Sequence, residues 1–549
     1  MRTHRTALMA GASLAILTLV AGPQVLADTP TKGPPSAKSS PLDTNIYKRP
    51  ATPGDQDVNA GNNTGESKGQ YNRPIGAKGL QIDVVDVLLK NTSATLGTGP
   101  SSETGIAINP KNPNEIVITA FEFNVSWAQD SASVFYSADG GKTWSEPRPI
   151  NRPPGESATG LDSCPCDQTL DFSRTRLLTG AFLTADDEIF TASTSHPVKG
   201  PFAYDGPTNP VRGADQPWML VNTSPQGPVL LASVELVDDP VELLKKESSE
   251  RVYTAYDDFS GIDNNTSTTV GMLVAAAEES ADPLAFTVHQ SGVSFGAINP
   301  GHRLAKDQKT GAMYSLFQQS PGNGAGDSVR INYFLNRSTD GGQTWTLNGS
   351  ANGIVVASAD SNQSPGPAGN FKFCTVNALL GGVDHATVAP DGSLYYVYGT
   401  RTNRDNRIAI RHLTDNKSGG LTIGPEHLVT TQTAVQAAIP QVAVNKDGTV
   451  GVFYYTCDTP AGAEGFPQFS AHFALSDDEG KTFVDHILQT FLSPAKDNGD
   501  ARQRVLGDYM QTKTLPNKAE FFGSFSGNGA AAGGKTSEID PFFFKVSKK

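Results

Sequence analysis

From about residue 80 onward, apolar residues come in short runs separated by clusters of Gly, Pro, Asn, Asp and Ser, as in segments 114–121 and 392–399. Runs this short, rich in β-branched and aromatic residues and bounded by turn formers, predict strands rather than helices. Segment 81–89 predicts the first strand. One stretch breaks the pattern: Asp239 as an N-cap, with Pro240 in the first turn, predicts a surface helix over 239–248. Residues 28–79 are polar, Pro- and Gly-rich and without hydrophobic period, which predicts a disordered linker.

Within the strand-like region one short pattern returns. Ser137, Asp139, Gly141, Thr143 and Trp144 recur as Ser338, Asp340, Gly342, Thr344 and Trp345, and again as Ser476, Asp478, Gly480, Thr482 and Phe483. Ser and Asp side chains can bond nearby backbone amides and close a tight turn. Glycine allows the positive φ such a turn needs, and the aromatic residue then packs against a neighbouring sheet. Each copy therefore predicts a hairpin corner in a repeating β unit.

With three copies, the pattern resembles the Asp-box (BNR) repeat of the sialidase-like superfamily. The resemblance implies an all-β fold, a single β-propeller of four-stranded antiparallel blades over residues 80–549. It also implies a structural role for the boxes, at hairpins away from any active site. Polar residues lead into apolar strands at Glu103, Asp167, Asp215, His302, Asp384 and Asp508, and a further start falls at Ile439, which suggests seven inner strands. Asp139 lies 201 residues before Asp340, and Asp340 lies 138 before Asp478. Those intervals hold three and two units of about 67–69 residues, so the region accommodates seven blades where six would leave a surplus. The last unit is one strand short, and segment 81–89 is expected to complete it and close the ring.

In a propeller of this kind the Asp-box hairpins share one face, and the starts of the inner strands ring the channel on the other. That second face should gather Glu103, Asp167, Asp215, His302, Arg303, Asp384, His385, Asp508 and Tyr509, with Glu122, Glu235, Arg401 and Arg404 from the ends of second strands. Paired carboxylates can act as acid and base, or acid and nucleophile, in glycoside hydrolysis. An Arg can clamp a substrate carboxylate, and a His or Tyr can take a proton beside a uronic-acid carboxylate, as a lyase requires. Asp384, His385 and Arg401 form the expected working cluster, with Asp384 or His385 as acid–base and Arg401 as clamp. The alternative is that these acids cap strands and pair neighbouring blades.

A sialidase should carry Arg-Ile-Pro on its first inner strand. Here that place reads Ser102, Glu103, Thr104, Gly105. An acid there would repel the carboxylate that the arginine should hold, so no sialidase catalytic residue transfers to this chain. The sequence reading is a carbohydrate-active hydrolase or lyase acting at the channel mouth. Its rivals are a non-catalytic glycan- or protein-binding propeller, an exo-sialidase and a hydrolase of a small non-sugar substrate.

Composition narrows the setting. A net charge of −13, without a Lys/Arg block, argues against a nucleic-acid partner. Arg2 and Arg5, the apolar run Leu8 to Val20 and the small residues up to Ala27 read as a signal peptide over 1–27, hence a secreted (extracellular or periplasmic) protein, expected to be monomeric and off the membrane after cleavage. The four cysteines, Cys164, Cys166, Cys374 and Cys457, allow two disulfides in any of three pairings. They do not follow a zinc pattern. No cofactor motif is present. A structural Ca²⁺ could sit among the acids, although no compact acidic loop requires one.

Overall fold

A computed structural model describes residues 70–73, 79–88, 101–122, 133–145, 150–155, 166–184, 187–198, 200–209, 213–225, 250–296, 300–325, 328–361, 372–374, 376–379, 384–402, 405–416, 419–430, 432, 436–458, 466–493, 496–497, 505–531 and 535–548. The expected signal peptide, most of the linker and the expected helix 239–248 lie outside the described residues.

The strands group into seven antiparallel blades. The first holds Ser101–Ile108, Ile116–Glu122 and Ser133–Ser137; the second Gln168–Phe172, Leu178–Leu183, Ile189–Thr194 and Ala203–Asn209; the third Ala214–Thr223, Glu250–Asp258, Val270–Glu278 and Thr287–Ser294. The fourth holds Arg303–Lys306, Met313–Asn323, Val329–Ser338 and Ile354–Ser361; the fifth Asp384–Val388, Leu394–Thr402, Asp405–Asp415 and Leu421–Leu428; the sixth Gln436–Val444, Val450–Asp458, Gln468–Ser476 and Val484–Leu492. Five blades are separate sheets, whereas the fifth and sixth share one parallel bridge between Asn406 and Gln436.

The seventh blade joins both ends of the described chain. Gln511–Thr514, Phe521–Ala531 and Lys535–Lys548 are completed by Leu80–Asp86, which pairs along Lys535–Lys548. Pairing extends to Gln70–Arg73, inside the segment read as linker, because Leu80–Asp86 still offers a free edge there. Each inner strand packs on the next, and the seventh packs on the first, so the ring closes. Every blade is covered on both faces by its neighbours. Strands such as Leu178–Leu183 are therefore buried throughout and apolar without alternation.

The three boxes fold alike. In the first, Ser137 Oγ donates to Asp139 Oδ1 at 2.9 Å and accepts from Gly141 N at 2.9 Å. Asp139 also accepts from Thr143 N at 2.9 Å and Thr143 Oγ1 at 2.7 Å. The second and third repeat these bonds around Asp340 and Asp478. Gly141, Gly342 and Gly480 take φ of 89°, 88° and 78°. A Cβ at Gly141 would strike Phe543, and Trp144 packs edge-on against that ring at 5.6 Å. Gly342 faces Tyr253, and Gly480 faces Tyr395 and Ile410. Each box thus braces its own blade against the preceding one in the ring.

Candidate functional site in the central channel

Three inner strands begin with a bulge. Register breaks between Ser102 and Gly105, Asp215 and Trp218, and Ala438 and Gln441, with Glu103, Gln216 and Ile439 at φ of 52°, 55° and 56°. A left-handed non-glycine residue costs roughly 1–2 kcal/mol, so burial must hold these turns in place.

The side chains expected to ring an open mouth are packed inside. Glu103, Asp167, Asp215, His302, Arg303, Asp384, Asp508 and Tyr509 are each no more than 4% exposed. Gln216 Nε2 donates to Asp508 Oδ2 at 2.8 Å and to Asp167 Oδ2 at 3.3 Å, while its Oε1 accepts from Arg303. Arg303 also donates to the His302 carbonyl at 2.9 Å and lies between the rings of Trp218 and Tyr509, at 4.8 and 5.2 Å. Burial lowers His302 to about 4 and raises Asp257, beside Arg303, well above the carboxylate range.

Segment 505–510 covers this network. Asn377 Oδ1 accepts from the amides of Val505, Leu506 and Gly507 at 3.1, 2.8 and 3.1 Å. Asn377 lies on a hairpin, Lys372–Phe373 with Asn377–Ala378, that the Cys374–Cys457 disulfide ties to the sixth blade. Cys166 is disulfide-bonded too. Gly507 leaves room for the Glu103 side chain, which a Cβ there would strike.

The expected working cluster is divided. Asp384 faces the neighbouring fourth blade, where it accepts from Gln318 Nε2 at 2.8 Å, and it also accepts from Tyr396 OH on the second strand of its own blade. Burial raises its carboxyl to about 6. His385, the next residue on the strand, faces the channel. Its Nδ1 accepts from Val442 N at 3.2 Å, which leaves the proton on Nε2, and burial lowers it to about 3. Arg401 pairs in register with Asn406, three residues beyond Tyr398, which lies opposite Asp384. That displaces Arg401 roughly 10 Å along the strand. Glu122 ends the second strand of the first blade, whereas Glu235, Arg404 and Cys164 lie outside the described residues.

A cavity of about 400 Å³ occupies the channel itself. Its wall reaches Pro110, Asp307, Pro390, Lys446 and Pro516, in the turns that follow the inner strands, so it opens at the end away from the strand starts. The Asp boxes share that face: Gly140 N donates to Asn114 O at 3.0 Å, and Thr449 Oγ1 donates to Asp477 Oδ1 at 2.6 Å. Four residues that line the cavity also hold a buried polar atom without a protein partner: Trp218 Nε1, Gln441 Oε1, Gln511 Nε2 and Thr512 Oγ1. A buried polar group left unpaired costs about 1–3 kcal/mol, and these four atoms are themselves closed to solvent.

Charge collects there as well. Asp171 accepts from Lys306 Nζ at 2.8 Å and from Lys513 Nζ at 3.1 Å. Despite burial, the two ammonium groups hold its carboxyl down at about 2. Asp171, Lys306, Lys513, Gln441 and Gln511 escaped the sequence reading, which took its candidates from inner-strand entries and second-strand ends. Their signal was a charged or amide residue within an inner strand. Elsewhere, Thr456, His472 and Asp485 form a relay, with bonds of 2.7 and 2.8 Å, but Thr456 and His472 are each only 1% exposed and away from the cavity wall. Among the described residues no three His, Cys, Asp or Glu side chains are arranged to hold a metal ion.

Fold and repeats together define an Asp-box β-propeller. The BNR/Asp-box repeat family matches residues 135–146. No curated protein matches the chain. Among solved structures, it is similar to a protein of unknown function from Dyadobacter fermentans, with 10% identity and a TM-score of 0.41, over 86% of this chain and 100% of that one. It is also similar to an α-L-arabinanase from Penicillium chrysogenum, with 10% identity and a TM-score of 0.35 over 69% and 92% of the two chains. An ulvan lyase aligns with 9% identity and a TM-score of 0.35 over 81% and 94%. Likeness at this level leaves the chemistry to be argued from this chain's own residues.

Proposed function

We propose that this propeller is an exported, carbohydrate-directed protein that takes a small saccharide, or the end of a glycan chain, into its central channel. One observation carries the reading: a cavity of ligand size in the channel, lined by Trp218 and His385 together with the charged side chains of Asp171, Lys306 and Lys513. Sugar hydroxyls both donate and accept, so they suit a wall that offers ammonium donors, a carboxylate and an imidazole. Export is supported by the residue 1–27 pattern and by the disulfides.

Turnover is the second reading. Asp384, with its proton held to about 6, is poised for acid–base work near neutrality, and neighbouring His385 is on the cavity wall. Hydrolysis or lyase chemistry would require Asp384 to reach the channel through Tyr396 or His385, because its own carboxyl faces the neighbouring blade.

The test is a panel of neutral and acidic saccharides, read by ligand-observed NMR for binding and by mass spectrometry for products. Binding without product supports a binding propeller. Products that gain water mean a hydrolase, and unsaturated products a lyase. Absence of binding and of product across the panel removes the carbohydrate reading.

A further inference from the structure

The net charge of the chain is −13, yet five basic side chains and three acidic ones line the channel cavity. Three of these charges, Asp171, Lys306 and Lys513, come from the inner strands of the second, fourth and seventh blades. They therefore meet across the channel rather than along one sheet.

Their bonding is incomplete in one direction only. Lys306 Nζ donates to Asp171 Oδ2 and, at 2.6 Å, to the Val221 carbonyl. Lys513 Nζ donates to Asp171 Oδ1 and, at 2.9 Å, to the Leu170 carbonyl. An ammonium carries three N–H donors, so each lysine keeps one. Both Asp171 oxygens already accept, and Oδ2 takes a further bond from Val221 N at 2.9 Å. The side chains of Lys306 and Lys513 stay 21% and 16% exposed, and both line the cavity. Glu250, the other buried carboxylate near Lys306 on this wall, pairs with Arg174, so the group of five charges is one positive, with two spare donors and a carboxylate that fixes both lysines.

We infer that Lys306 and Lys513, braced by Asp171, form a subsite for a singly charged oxyanion, a carboxylate or sulfate group carried by the bound saccharide. The inference rests on the channel reading above and adds its substrate class: an acidic rather than a neutral sugar. The subsite lies toward the Asp-box face, away from the strand starts where Asp384 sits. A carboxylate oxygen there takes the spare N–H of each lysine. Rigid lysines require little ordering on binding, which favours affinity.

Two measurements test it on the full chain. Crystals soaked in selenate, a tetrahedral oxyanion, should show anomalous density within hydrogen-bond distance of both Nζ atoms. Glucuronate and glucose 6-sulfate should each bind about tenfold more tightly than glucose, a preference that Lys513→Gln and Lys306→Gln should each abolish. If either variant fails to fold, the selenate experiment on the unaltered protein decides alone. Empty density between the ammonium groups, or glucose binding as tightly as glucuronate, overturns the anion subsite and leaves the channel reading standing. Selenate density without binding of any sugar overturns the carbohydrate reading and leaves the anion subsite standing.

Discussion

Replacing Asp171 by Asn removes the one carboxylate that Lys306 and Lys513 share. The two ammonium groups then face each other across the channel with only carbonyl partners. Leaving buried charge without its counter-ion costs about 3–5 kcal/mol, and that is the loss of unfolding free energy expected at neutral pH. The pH dependence supplies the sharper check. Folding lowers this carboxyl from 3.8 to about 2. A group whose pKa falls on folding gives stability that is present above its unfolded pKa and is lost as pH drops toward the folded one. At 1.36 kcal/mol per unit the whole shift is worth roughly 2.5 kcal/mol, of which the native protein should lose about 2 kcal/mol between about pH 5 and pH 2. The Asn variant has no such group, so the gap between the two proteins should narrow by that amount on acidification. Urea unfolding at a series of pH values, followed by tryptophan fluorescence, measures the gap and cancels other titrating groups. A gap that stays constant from pH 5 to pH 2.5 refutes the argument that the lysine pair holds Asp171 ionised.

Other perturbations have distinct signatures. Asp340→Ala deletes an acceptor for Ser338, Gln343 and Thr344; the expected cost is about 1–2 kcal/mol in denaturant, with saccharide affinity unchanged, because the box braces blades and lies off the cavity wall. Asp384→Asn should be no less stable than the native protein at pH 7. The native carboxyl, raised to about 6 by burial, contributes stability below its unfolded pKa that is lost as pH rises through 6, so thermal melts of the native protein, but not the variant, should decline over pH 4–6. Replacing Cys374 and Cys457 by Ser opens a covalent loop of 83 residues. A loss of about 2–4 kcal/mol is expected, and hydrogen exchange should accelerate first in 505–510, where Asn377 would lose its anchorage.

The all-β propeller was legible in the sequence because its signals are local. A Ser–Asp–Gly–Thr–aromatic corner must fold the same way wherever it stands, and six of the seven strand starts were visible as polar residues ahead of apolar runs. Closure by segment 81–89 followed from the missing strand in the last unit, and Leu80–Asp86 indeed lies against Lys535–Lys548. Channel chemistry was less legible, because it depends on which inner-strand side chains point inward and how they meet. Asp384 and His385 are neighbours in sequence yet face opposite sides of one strand, one toward Tyr396 and one toward the cavity. Asp171, Lys306 and Lys513 are far apart in sequence and share a site only because the ring closes. Nor could the sequence show that Asn377 would hold segment 505–510 against Glu103.

The central claim is that the ligand occupies the channel. Thr387 is half-buried on the cavity wall and makes no side-chain hydrogen bond among the described residues, so Thr387→Trp would fill the space without removing a hydrogen bond seen there. The measurement is a calorimetric titration of the best saccharide from the panel into native protein and into this variant, with matched melting curves. The account predicts that binding disappears while the fold persists; undiminished affinity in a folded Thr387→Trp protein would place the ligand elsewhere and contradict it.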